Sequence, residues 1–174
     1  MSLRALNGCI VLHWHGIEMA LREVGEDGLP DWRDSSVPLL QLDRLDLTLA
    51  DGTTASIVIY QNDDRWGLFR ENALPPSSLC TDKPDCIFRS RLLPEIPSGQ
   101  IRDVSVSLNE GDIEEVILDV EGVKVRLLSG EVYEQNAGSL RVVTLDSSIL
   151  VQVDGRCPED TSQEMIQKKE NFQT

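Results

Sequence analysis

The sequence has few positive charges. Its 174 residues include 16 Lys and Arg against 30 Asp and Glu, which gives a formal net charge of −14 at pH 7. A protein that binds a nucleic-acid backbone or an anionic lipid surface through ionic contacts needs an excess of cations. We therefore expect neither nucleic acid nor a membrane among the partners of this chain.

Long apolar runs are also missing. No stretch reaches the roughly 18 apolar residues that a membrane-spanning helix requires. Near the N-terminus, His13 and His15 interrupt the apolar residues before a stretch of signal-peptide length is reached. The sequence therefore predicts a soluble, cytoplasmic protein.

Cysteines are few and scattered, at Cys9, Cys80, Cys86 and Cys157. In a cytoplasmic protein the expected state of all four is the reduced thiol. The spacing of Cys80 and Cys86 leaves one alternative open, a disulfide that closes this short loop in an oxidising compartment.

Motifs of catalysis are missing as well. The chain has no Gly-x-Ser-x-Gly elbow, no phosphate-binding glycine loop and no dinucleotide fingerprint. Acidic pairs such as Asp63–Asp64, and Glu131 with Glu134, are typical of solvated turns in so acidic a chain. A Ser or Cys triad assembled across strands stays open, although no sequence feature points to one. We expect no cofactor and no enzymatic activity.

What the sequence does have is an alternation of apolar and polar residues with period two. Leu45, Leu47 and Leu49 alternate with polar residues, and Asp51-Gly52 then supplies hairpin chemistry. Similar stripes follow at 104–108, 116–120, 123–127 and 149–153, with turn residues between them. The pattern predicts a mainly β domain over residues 1–157, an antiparallel sandwich, roll or barrel of about 8–10 strands.

The first stripe changes phase. Ile10, Leu12 and Trp14 occupy even positions, whereas Ile17 and Met19 occupy odd ones, with Gly16 between the two sets. We interpret the change as a β-bulge at the glycine, because one inserted residue returns the apolar side chains to the same face. The alternative is a helix that begins near Ile17.

Two stretches of the chain resemble each other. A shift of 59 residues places the stripe at 45–49 on that at 104–108, which suggests two similar meanders, 10–70 and 100–155. Independent hairpins of similar length would match in the same way. The connection 71–99 is rich in proline, so we expect at most an edge strand near 86–92. Residues 158–174 predict a short helix or a disordered tail.

Three residues are candidate metal ligands. His13 and His15 project to the same side of a strand, and Cys9 shares their parity. A closed metal site needs further ligands at suitable spacing, and ordinary surface histidines are the competing interpretation.

The acidity suggests a function. A domain of this charge attracts basic surfaces, so we expect a noncatalytic protein-binding module, an adaptor or a neutralising partner of a basic protein, with homodimerisation at a strand edge as an accompaniment. The candidate interaction residues lie in two loops: Trp32, which either anchors its loop or binds a partner, and Cys80 and Cys86. The alternative is a ligand-binding or enzymatic barrel with a pocket lined by Trp14, Tyr60 and Trp66.

Overall fold

The structure, a computed structural model, describes residues 2–72, 83–135 and 138–154. A 3₁₀ helix, Leu3–Leu6, precedes ten strands within these ranges. The strands are β1 Ile10–Met19, β2 Leu40–Leu49, β3 Thr54–Asn62, β4 Arg65–Asn72, β5 Phe88–Leu92, β6 Gly99–Asn109, β7 Asp112–Val120, β8 Val123–Glu134, β9 Leu140–Thr144 and β10 Ser148–Val153. The mainly β prediction and its strand number are confirmed.

Six of the strands close into an antiparallel barrel. Around its wall the order is β1, β2, β10, β8, β7 and β6, and β6 pairs again with β1. Closure leaves the six barrel strands paired on both sides over part of their length. Of the alternatives drawn from the sequence, the barrel is the one observed.

The remaining four strands extend the barrel wall. The hairpin of β3 and β4 joins β2 through residues 44–48, next to the 40–42 segment that pairs with β10. β5 joins β1, and β9 joins β8 beyond Gly130. The edge strand predicted near 86–92 is β5, whose described partner is β1 alone.

Apolar side chains fill the barrel interior. The predicted stripes face inward: Leu45, Leu47 and Leu49 are buried, as are Val116, Leu118 and Val120. Trp14 is 1% exposed, and its indole N–H donates to the carbonyl of Pro97 at 2.8 Å. These residues belong to one cluster that also contains Leu3, Leu6, Val11, Leu40, Leu42, Ile57, Leu68, Leu93, Ile96, Ile101, Val104, Val125, Leu127, Ile149 and Val151.

The first strand differs from its prediction in the position of its bulge and in the face that its first residues take. A helix from Ile17 is wrong, because β1 continues as a strand to Met19. The register has two irregularities, and neither places an extra residue at Gly16. Leu12 is the extra residue of β1 between the pairs Val11–Leu49 and His13–Thr48, and Asp43 is the extra residue of β2 between the pairs Ile17–Arg44 and Glu18–Leu42. The expected inward stripe is therefore wrong at its start, since Ile10 and Leu12 are 48% and 53% exposed.

The two predicted meanders occupy different places. Strands β2, β3 and β4 correspond under the 59-residue shift to β6, β7 and β8, so the strand bounds agree with the sequence match. Of the strands that correspond, β6, β7 and β8 all belong to the barrel wall, whereas of β2, β3 and β4 only β2 does. The halves are therefore not equivalent in the fold, and duplication itself stays a prediction.

A second, smaller apolar cluster lies on the outside of the wall. Because Leu127 and Val151 belong to the interior cluster, their neighbours Leu128 and Leu150 face outward. The segment 20–39 and the hairpin of β8 and β9 cover them, with the members Leu21, Val37, Leu39, Val132 and Leu140. This covered face brings the 25–38 loop against β8, where two surface depressions lie.

Gln41 connects the two parts of the chain that cover this cluster, the segment 20–39 and the hairpin of β8 and β9. Its side chain, 1% exposed, accepts a hydrogen bond from the Val132 backbone N–H at 2.6 Å and donates to the Ala20 carbonyl at 3.4 Å. A side chain thus supplies the hydrogen bonds that a neighbouring strand would otherwise make.

Among the residues described, no helix has the length and hydropathy needed to cross a membrane.

Candidate functional site

An acidic groove lies between the segment 22–34 and the hairpin of β8 and β9. It encloses about 750 Å³. The charged residues that line it are five carboxylates and one guanidinium: Glu26, Asp27, Asp31, Asp34, Glu134 and Arg22. With these groups ionised, the acidic groove has a formal charge of −4.

Arg22 is the cation around which the acidic groove is built. Its guanidinium donates to Asp34 Oδ2 at 2.7 Å and to the Gly138 carbonyl at 2.8 Å, and it lies 3.6 Å from Asp31 and 3.9 Å from Glu134. The hydrogen bond to Asp34 is the main reason that the pKa of Arg22 is raised. Because Arg22 is engaged with these neighbours, it does not neutralise Glu26 or Asp27.

Asp34 is the most strongly perturbed acid of the acidic groove. Hydrogen bonds from Ser36, and then from Arg22, lower the pKa of Asp34 to about 2. A carboxylate that accepts several hydrogen bonds stays ionised well below neutral pH. The negative charge is therefore fixed at the centre of the acidic groove at every physiological pH.

Backbone hydrogen bonds give the loop its shape. Gly25 N–H donates to the Leu29 carbonyl at 2.7 Å, and Asp31 exchanges backbone hydrogen bonds with Arg22. A Cβ at Gly25 would lie 2.3 Å from Asp31 Oδ1, so a larger residue there would displace the Asp31 carboxylate. The turn also exposes two apolar side chains at the rim, Val24 and Leu29, which are 66% and 45% exposed.

A second groove continues from the first along β8. It encloses about 420 Å³ and shares Arg22, Val24 and Glu134 with the acidic groove. Apolar side chains form much of its lining, including Met19, Ala20, Leu21, Ile87 and Val132, with Glu23, Glu131 and Tyr133 beside them. The two grooves together present a strip of apolar surface bordered by carboxylates.

A network of ion pairs lies at the end of β1, beside the 25–38 loop. Glu18 is 1% exposed in its side chain, yet it accepts hydrogen bonds from Arg33, Arg89 and Arg91. Glu95 completes the network through hydrogen bonds from Arg33 and Arg91. Glu18 has the parity of the inward residue Gly16, so the network lies where the apolar interior ends.

Opposing effects act on Glu18. Burial raises the pKa of its carboxyl, but hydrogen bonds from Arg91, Arg89 and Arg33 lower it, and the net pKa is below the usual value. The Glu95 pKa is lowered in the same way. A buried charge persists only with such partners. The network thus fixes β5 and residue 33 of the loop to the end of β1.

Trp32 belongs to this assembly. It is half-buried, and the Arg89 guanidinium lies 4.1 Å from the centre of its ring. This stacking is a cation–π contact, and it holds the loop against β5. The anchoring interpretation of Trp32 therefore accounts for its position.

The candidate metal ligands are not brought together. His13 is exposed, whereas Cys9 donates a weak hydrogen bond to the Ala5 carbonyl at 3.6 Å. His15 lies beside Ser90 and Asp46. Over residues 2–72, 83–135 and 138–154, no group of three or more His, Cys, Asp or Glu side chains is arranged to hold a metal ion.

The aromatic residues of the alternative pocket are also apart. Trp14 is inside the filled barrel, whereas Trp66 lines a surface depression of about 240 Å³ whose described lining does not include Trp14. Tyr60 donates its hydroxyl to Asp112 at 2.5 Å, and the pKa of Tyr60 is raised mainly by that hydrogen bond.

Of the two candidate cysteines, Cys86 is half-buried beside β5. Cys80, like Cys157 and the tail 158–174, lies outside the described residues. The pairing of Cys80 with Cys86 and the form of the tail therefore stay predictions.

Several site residues were missed from the sequence. Arg22 and Asp34 lie twelve positions apart, and Glu18 contacts arginines more than seventy positions away, so no local spacing marks them. The single available signal was a charged residue, Glu18, within an apolar stripe. Comparisons with protein-family models, with curated proteins and with solved structures give no match.

Proposed function

We propose that this protein is a binding module that takes up a basic segment of a partner protein in the acidic groove. The observation that supports the proposal is the charge of −4 collected from the 22–34 segment and Glu134 around a guanidinium that is already engaged. Such a field raises the rate of encounter with a cationic surface. Binding of this kind requires no reaction in the groove.

The apolar rim favours a protein partner over a simple cation. Val24 and Leu29 are exposed beside the carboxylates, and the second groove adds apolar surface along β8. Apolar contact with charged groups around it is the usual composition of a protein interface. The segment that fits therefore combines Lys or Arg with apolar side chains.

Binding of a synthetic peptide tests the proposal. The probe is a fluorescein-labelled dodecamer that alternates Lys and Leu, titrated with the protein at 50 and 300 mM salt. Changing Glu26 and Glu134 to Gln and Asp27 to Asn removes three charges from the acidic groove. At about 0.2–1 kcal/mol for each partly screened pair, we expect affinity to fall about tenfold, and less at high salt.

A matched variant separates the groove from the overall charge. Changing Asp64 and Asp103 to Asn and Glu110 to Gln removes three exposed charges outside the groove and gives the same net charge. We expect this variant to bind almost as the wild type does. Equal losses in both variants, or binding that salt leaves unchanged, would contradict a site in the acidic groove.

Self-association is a second proposal, and the edge strands support it. Within the described residues, β4, β5 and β9 each pair with one strand only, and such edges accept a second copy. Sedimentation across a range of protein concentrations measures it, and a constant monomer mass would contradict it.

A further inference from the structure

A row of four side chains, three of them polar, crosses the outer face of four neighbouring strands. The register places Leu92 of β5, His15 of β1, Asp46 of β2 and Ser56 of β3 opposite one another in turn. Ser90, two positions from Leu92 and on the same face of β5, is the diagonal neighbour of His15. Cross-strand and diagonal positions bring side chains within contact distance.

The contacts within this row have the order of a nucleophile, a base and a carboxylate. The Ser90 Oγ lies 3.0 Å from His15 Nε2, and on the other side of the ring Nδ1 lies 3.9 Å from Asp46 Oδ2. A serine hydroxyl becomes nucleophilic when a base lies within hydrogen-bonding distance and a third group orients that base. This combination recurs on unrelated folds and is recognised by geometry.

Asp46 is fixed by its own neighbours. Ser56 donates to Asp46 Oδ1 at 2.6 Å, and Arg44 Nε donates to Oδ2 at 3.0 Å. The carboxylate is 15% exposed, whereas His15 is 35% exposed. The 3.9 Å separation is longer than a hydrogen bond, and catalytic hydrogen bonds are often long before substrate binds.

The edge of β5 offers a backbone donor beside Ser90. Leu93 N–H donates to the Trp14 carbonyl, and Ala20 N–H donates to the Ile87 carbonyl, so odd-numbered backbone groups of β5 face β1. The N–H of Ser90 therefore faces away from β1, on the side where the described residues contribute no strand. The N–H of a nucleophilic serine commonly stabilises the oxyanion in acyl transfer.

We infer that Ser90, His15 and Asp46 form a second site, an acyl-transfer centre for carboxylic esters that reach the open face of the sheet. The inference departs from the expectation that the chain carries no reaction, and it is independent of the acidic groove. Ser90 and His15 are the catalytic residues, and Asp46 is a positioning residue that also stabilises the imidazolium.

The reaction balances with water alone. The Ser90 Oγ bonds to the ester carbonyl carbon while its proton passes to His15 Nε2. The bond from that carbon to the alcohol oxygen then breaks, and His15 protonates the leaving alcohol. Water attacks the acyl-serine by the same route and restores Ser90. The products are the acid and the alcohol.

Covalent labelling tests the site. The full chain is treated with a fluorophosphonate probe, and the labelled residue is located by mass spectrometry, with 4-nitrophenyl acetate hydrolysis measured in parallel. We expect modification at Ser90, none in Ser90→Ala, and a labelling rate about 100-fold lower in His15→Gln. Ser105 is the matched control: it is exposed on a strand and donates to Asp103 at 3.3 Å, so Ser105→Ala should label as the wild type does.

The histidine tautomer tests the role of Asp46. In the wild type, ¹⁵N NMR should show the His15 proton on Nδ1, with exposed His13 as the internal reference, whereas Asp46→Asn should shift the proton to Nε2 and lower the labelling rate at least tenfold. No labelling of Ser90, labelling that His15→Gln leaves unchanged, or an Nε2–H tautomer in the wild type would each overturn the inference. Circular dichroism of each variant checks that it folds.

Discussion

Replacement of Glu18 by Gln tests the buried charge network most directly. The side chain keeps its size but loses the charge that three guanidiniums share. Removing one partner of a buried ion pair costs about 3–5 kcal/mol, because the other charge stays desolvated. Arg33, Arg89 and Arg91 are 26%, 36% and 22% exposed, so water rehydrates them in part. We therefore expect a loss of about 3 kcal/mol, the lower end of that range.

The stability that Glu18 contributes depends on pH in a direction that its lowered pKa determines. The folded-state pKa of Glu18 is below the unfolded value of 4.5, so its contribution is fully present above pH 4.5 and is lost as the pH falls through the folded-state pKa. The variant lacks this titration. The stability difference between wild type and Glu18→Gln should therefore be largest at neutral pH and should shrink below pH 4.5.

Urea unfolding, followed by tryptophan fluorescence at pH 7 and at several pH values below 4.5, measures the loss of stability and its dependence on pH. Glu121→Gln is the control, because the Arg102–Glu121 pair is exposed on both sides and water screens it. We expect no resolvable change of its midpoint. A difference below about 1 kcal/mol for Glu18→Gln at pH 7, or one that stays constant on acidification, would refute the reasoning.

Two further substitutions test particular contacts. Gly130→Ala should lower the melting temperature by several degrees, because its Cβ would lie 2.6 Å from the backbone oxygen of Val143, whereas Gly16→Ala, which meets a leucine side chain that can shift, should lower it less. Tyr60→Phe leaves Asp112, which is 6% exposed, without its 2.5 Å hydrogen bond and should cost about 1–3 kcal/mol in urea unfolding. Equal melting temperatures for the two alanine variants, or an unchanged Tyr60→Phe midpoint, would contradict these packing arguments.

The period-two pattern predicted correctly which side chains face inward where no bulge interrupts the strand. Leu45, Leu47 and Leu49 face inward because β2 follows the pleat without interruption through them. The prediction was wrong at Ile10 and Leu12 because a bulge changes which face a residue takes, and the pattern of apolar letters does not fix its position. Closure of the barrel depends on long-range pairing that no local stripe contains.

The candidate sites were less accessible to sequence reasoning, for the same physical reason. Ser90 and His15 are 75 positions apart, and they meet only because β5 joins the edge of β1 after a long connection. Their types were visible in the sequence, but their proximity depends on strand order. The acidic groove likewise needs Glu134 to fold back over the 22–34 segment.

The filled barrel restricts where the proposed binding and the proposed reaction take place. Small barrels either enclose a ligand or pack their interior with side chains, and Trp14 with the leucines around it does the latter here. Binding at the barrel axis would require removing part of that core. The additions outside the wall carry no such restriction: the 20–39 segment, β9 and β5 bring carboxylates, exposed apolar groups and the Ser90–His15 pair to the surface. In both proposals the barrel therefore serves as the support, and the segments attached to its edges carry the proposed binding and reacting surfaces.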